Sequence, residues 1–210
     1  MARPAGRAGY SLVEVLVVML IMVVVLGAIY GVWHSLSRTY VFAEEDMSAQ
    51  TQARAAMAEM VEFIRTARQP ESVALESLDA VITQAGPFAI TVWTDTLRDG
   101  THGLQLVRFR VSPDPLVTQP AGTQFELWRE QGDSTTGLFE NAPVRLVTSS
   151  VGNDRSAYPL FTYKDSLGAV TTDLTSIREV EINLRIDVDP NRSPAVNVLK
   201  STVQPRNLRN

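Results

Sequence analysis

Side chains that commonly do chemistry are scarce in this chain of 210 residues. Cysteine is absent, which removes disulfides, thiolate metal sites and a Cys nucleophile together. His34 and His102 are the only histidines, too few for a multi-His metal centre, and neither stands beside a nucleophile motif. Acidic groups gather in turn-like segments, Asp95 with Asp99 and Asp187 with Asp189 and Asn191. Loops of this kind supply the oxygens that calcium requires, so the second group is the weak candidate for calcium. It has no EF-hand spacing and reads first as a solvated turn, so no cofactor is expected. The residue most out of place is Glu14. It is the only charged side chain in residues 12–32, LVEVLVVMLIMVVVLGAIYGV. A carboxylate in hydrocarbon is costly unless it is paired or protonated.

The element that carries Glu14 is long enough to cross a bilayer as a helix. Before it lies MARPAGRAG, with Arg3, Arg7 and no acid, and after it come Glu44, Glu45 and Asp46. The positive-inside rule then keeps the N-terminus cytoplasmic and exports the remainder. A secretory signal peptide also starts with basic residues, but its apolar core runs about 7–15 residues and ends at a small-x-small site. This run is longer, and GAIYG at 27–31 makes a poor site. Gly27 and Gly31 form a small-xxx-small pair that would permit close helix packing.

Beyond the apolar run, residues 33–68 keep a helical period through Leu36, Tyr40, Ala43, Met47, Met57, Val61 and Ile64, so the helix is expected to reach about Arg68, short of Pro70. Met57 and Met60 read as core. A short helix is expected within 71–85, around residues 73–82. After Gly86-Pro87 the period changes to two, and strands are expected at 88–93, 104–111, 124–129, 144–148, 160–164, 177–188 and 196–203. Val180, Ile182, Leu184, Ile186 and Val188 alternate with polar residues, giving one buried and one wet face. Trp93, Phe109 and Trp128 read as core. A net charge of −4 argues against direct nucleic-acid binding. The fold class is α+β, a long N-terminal helix packed on a C-terminal antiparallel β-sheet head. An enzyme is not expected.

Gly9-Tyr10-Ser11-Leu12-Val13-Glu14, followed at once by the apolar run, resembles the processing motif of type IV pilins and type II secretion pseudopilins. The resemblance implies that residues 1–9 are a leader removed after Gly9 by an inner-membrane prepilin peptidase, which also methylates Tyr10. Glu14 holds the position that the family fills with Glu, where it pairs with a neighbouring subunit's N-terminus during assembly. The implied organisation is a leader at 1–9, a membrane or filament-core helix at 10–33, an amphipathic helix at 34–68 and a β-rich head at 69–210. Partners would be other pilins or pseudopilins, the peptidase, the inner-membrane assembly platform and the membrane itself. Two departures stand out: Tyr10 where Phe is commonest, and Gly31 where the main shaft subunits usually carry Pro. The segment Pro159-Leu160-Phe161-Thr162-Tyr163-Lys164-Asp165, with the strand after it and Arg206-Asn207, resembles the head of J-type minor pseudopilins. The expected function is therefore a minor pilin or pseudopilin that initiates or caps a filament. The alternative is a bitopic envelope protein with an exported ligand-binding or sensing head.

Overall fold

The computed structural model describes residues 10–68, 81–96, 102–132, 139, 142–148, 150–154, 157–188 and 196–205. The leader through Gly9, the first part of the helix expected within 71–85, Asp99, Asp189, Asn191 and Arg206-Asn207 lie outside them. A helix, α1, runs Leu12–Arg65. It opens where the Ser11 carbonyl accepts from the amides of Glu14 and Val15, and Glu14 in its first turn and Arg65 in its last suit the helix dipole. It stops ahead of the expected Arg68 because the backbone is taken up elsewhere. The Arg68 amide donates to the Trp93 carbonyl at 3.0 Å and Ala67 bridges Thr94, so the chain joins a strand edge. The Thr66 hydroxyl accompanies the turn, donating to the Glu62 carbonyl at 2.9 Å.

Two compact units divide the chain, Met1–Glu45 and Asp46–Asn210. In the first, the side chains of the helix from Leu12 to Val32 are exposed throughout. In the second, the remaining helix packs on eight described strands: β1 Ile82–Ala85, β2 Ala89–Thr96, β3 His102–Ser112, β4 Glu126–Gly132, β5 Val144–Val147, β6 Phe161–Lys164, β7 Glu179–Ile186 and β8 Asn197–Val203. The first five form an antiparallel sheet in chain order and the last three a second one. The described strands of the expected antiparallel head thus form two sheets, joined by backbone and side-chain bonds. The Pro87 carbonyl accepts from the amides of Leu160 and Phe161, and the Tyr163 hydroxyl donates to the Gly86 carbonyl at 2.8 Å. Buried Asn153 does similar work with its whole side-chain amide. Its Nδ2 donates to the carbonyls of Tyr158 and Asn183, and its Oδ1 accepts from the Arg185 amide.

The helical stripe differs from the expected one. Leu36, Tyr40, Ala43 and Met47 are exposed, and burial begins at Ala49 and continues through Ala53, Ala56, Met57, Met60, Phe63 and Ile64. Three alanines at spacings of four and three open the buried face, and larger side chains continue it toward the end of the helix. Phe63 meets Phe109 edge to face, centroids 5.9 Å apart, among Ile90, Val92, Val107, Val111 and Leu127. The segment expected to be helical ends instead in β1, where Ile82 pairs with Val92 and the Trp93 amide donates to the Val81 carbonyl. Four residues carry too little local preference to resist a partner strand. Trp128 also departs from expectation. It is half-buried on the sheet's outer face, where its Nε1 donates to Glu126 and the Arg145 guanidinium lies 5.0 Å from its ring centroid. Phe109 and Trp93 are buried, but Trp93 lies across from Leu106 and alternates away from Ile90 and Val92.

Candidate functional site

Within the first unit the candidate residues stand on α1 or just before it. Tyr10 is 83% exposed, Glu14 lies about one turn further on, and the next Asp, Glu, Lys or Arg is Arg38. Water does not favour such a surface. Every large apolar side chain from Leu12 to Val32 is exposed, so among the described residues nothing supplies the apolar environment that these residues need. A bilayer or a bundle of similar helices does, and α1 is long and apolar enough to cross a membrane. In either setting the Glu14 carboxylate needs a cation or a proton. Gly27 and Gly31 share this environment. A Cβ at either would meet nothing within 4 Å, so no contact among the described residues calls for glycine there.

The structure does not assemble the other candidates into a site. Among the described residues no cluster of three His, Asp or Glu side chains could hold a metal ion. Of the calcium candidates, Asp187 is described, with its amide donating to the Ser150 carbonyl, while Asp189 and Asn191 lie outside the described residues. Asp95 belongs to β2, and its suggested partner Asp99 is likewise outside. His34 sits on α1, stacked on Tyr30, whereas His102 opens β3. A shallow cavity of about 350 Å³ beside the β3–β4 loop has Asp154 as its single titratable lining residue and lacks a nucleophile with a base.

Sequence reasoning missed the polar groups that fix the head. Arg129 is 2% exposed and faces inward between Leu127 and Gln131. Its guanidinium pairs with Glu59 of α1 and lies over the Phe63 ring. An arginine in the apolar phase of a strand was the available signal, since it demands an acid on the facing element. On the outer face Glu130 accepts from both Arg108 and Arg110, at 3.2 and 2.8 Å. Lys164 sits between Glu181 and Glu179, and the hydrogen bonds they accept, Glu181 foremost, raise its pKa. Burial drives the Tyr163 hydroxyl well above the usual tyrosine range, against the smaller opposing effect of its bond to Gly86. The Thr175 hydroxyl and amide hold the Asp173 carboxyl below its ordinary value.

Comparison with known proteins returns one result, and it falls on the helix. The prokaryotic N-terminal methylation motif matches residues 4–30, spanning the Gly9–Tyr10 bond, Glu14 and most of the apolar run. No curated protein and no solved structure matches the chain. Joined to a long apolar helix and an antiparallel β head, a pilin-like α+β arrangement, this motif supports the resemblance to type IV pilins and pseudopilins.

Proposed function

We propose that this protein is a minor pilin or pseudopilin that helps to initiate or cap its filament. Residues 1–9 act as the leader, prepilin peptidase cuts the Gly9–Tyr10 bond, and Tyr10 is methylated as the new N-terminus. The precursor spans the inner membrane once, with its N-terminus cytoplasmic and its head exported. Its apolar helix then moves from lipid into a bundle with other pilins on the assembly platform. In that bundle Glu14 pairs with the N-terminal ammonium of a neighbouring subunit, so two charges that would each be stranded in hydrocarbon neutralise one another.

The observation that carries this reading is the methylation motif at 4–30, whose single acid lies in a fully exposed apolar helix. A main shaft subunit is disfavoured by Gly31 standing where those subunits usually have Pro. The head segment 159–165 favours the J-type among the minor subunits. Mass spectrometry of the protein extracted from membranes tests the reading: the expected product begins at Tyr10 and carries one methyl group. An intact N-terminus in assembled filaments refutes it and leaves the bitopic membrane protein.

A further inference from the structure

The apolar run ends in a group of side chains that pilin processing does not use. Tyr30, Trp33, His34 and Arg38 fall within a sector of about 140° on α1 at 100° per residue. Tyr30 and Trp33 are each 69% exposed. The Tyr30 and His34 rings are stacked, centroids 6.2 Å apart and 5° between planes, so the imidazole lies along the helix surface. Arg38 has no carboxylate partner among the described residues and is the first charged residue after Glu14.

Spacing along the helix matches a bilayer. From Leu12 to Trp33 the rise is about 32 Å at 1.5 Å per residue, close to the ~30 Å hydrocarbon thickness. Tyr10 then stands at one boundary and Tyr30 with Trp33 at the other, where amphipathic rings collect. Arg38 lies roughly 8 Å beyond Trp33, at the depth of the headgroup phosphates. Glu44 and Glu45 come about 9 Å later still, clear of that anionic layer.

We propose that Tyr30, Trp33, His34 and Arg38 form an interfacial lipid site: the rings lie at the acyl–headgroup boundary and Arg38 takes the phosphate of an anionic lipid. His34, on the same side, offers a second hydrogen-bond donor. The site fixes the depth of the helix while the chain is in the membrane, and so the level at which Gly9 and Glu14 meet the opposite boundary. This rests on the membrane-spanning reading of α1. The continuity of the belt with the apolar run and the charge of Arg38 select a lipid surface as its occupant.

Full-length protein in vesicles of phosphatidylcholine and phosphatidylglycerol tests the proposal, with Trp33 fluorescence isolated as the difference between the native chain and Trp33→Phe. Lipids brominated near the headgroup should quench Trp33 more than lipids brominated near the chain end. Brominated phosphatidylglycerol should compete for the site about five-fold better than brominated phosphatidylcholine. Arg38→Gln should bring that ratio to about one, and Arg38→Lys should retain it. A ratio of one in the native chain, a ratio unchanged by Arg38→Gln, or stronger quenching from the bilayer centre overturns the proposal. Carbonate extraction separates the two levels. A chain stripped from the vesicles refutes the spanning reading and this site with it. A retained chain with Trp33 unquenched refutes the lipid site alone, and points to a protein neighbour over those rings.

Discussion

A carboxylate on a helix suited to lipid and a phenol inside a protein core face the same constraint, the cost of charge in a medium of low polarity. For Glu14 the resolution lies outside the chain. Because its side chain is exposed, Glu14→Ala should leave both Gly9–Tyr10 cleavage and head folding intact while preventing incorporation beside other subunits. Co-purification with assembled filaments checks this, and normal incorporation would rule out the pairing role. Tyr163 resolves the constraint by staying neutral. Its folded pKa is raised, so the folded state holds a proton that the unfolded state releases near pH 10. Its contribution is complete below that pH and declines above it, by about 1.4 kcal/mol per pH unit once the unfolded phenol ionises. Tyr163→Phe should cost about 1 kcal/mol at neutral pH and reduce the alkaline loss by that one-proton slope, as read from urea midpoints across pH 8 to 11.

At the scale of elements, each packing face is written by a few residues, and some were legible in the sequence while others were not. The alternation from Val180 to Ile186 placed β7 because a strand with one buried face has a period that no helix shares. Seven of the eight described strands stood out in this way. β1 did not, since Ile82–Ala85 is too short to show a period and owes its form to β2. The helix was legible as a helix, but its contact face was not. Leu36, Tyr40 and Met47 carry the larger apolar side chains, whereas the buried positions begin with Ala49, Ala53 and Ala56. Periodicity reports a face without reporting where its partner begins, and the buried face opens on alanines, which carry less apolar area than the exposed Leu36, Tyr40 and Met47. The inward Arg129 was overlooked for a related reason, because its counter-charge Glu59 is remote in sequence. In the candidate site, the methylation motif at residues 4–30 was legible because local order along the chain defines it. The contact stripe can be tested directly: Ala53→Leu should destabilise the head by about 1–3 kcal/mol through overpacking, while Met47→Ala should change it by less than about 0.5 kcal/mol. Chemical denaturation of the two variants distinguishes this stripe from one that includes Met47.

At the scale of the whole molecule, position in a filament follows from how much room each copy needs. The described residues of the second unit, Asp46–Asn210, form two sheets on the last part of α1. A subunit repeated at close spacing must fit this bulk beside the heads of its neighbours, whereas a subunit at the end of the filament has no copy above it. Exposed Leu116 and Val117 in the β3–β4 loop, and Leu167 and Val170 in the β6–β7 loop, add apolar surface that a crowded repeat would have to accommodate at every copy. The helix points the same way: no proline interrupts residues 10–69, and Gly31 occupies the place where main shaft subunits usually have Pro. The expected arrangement is therefore few copies, at or near the tip, in contact with other minor subunits. Gold labelling of an epitope inserted beside the exposed Leu167 should mark filament ends. Uniform decoration along the shaft would make this a main subunit and overturn the assignment to the tip.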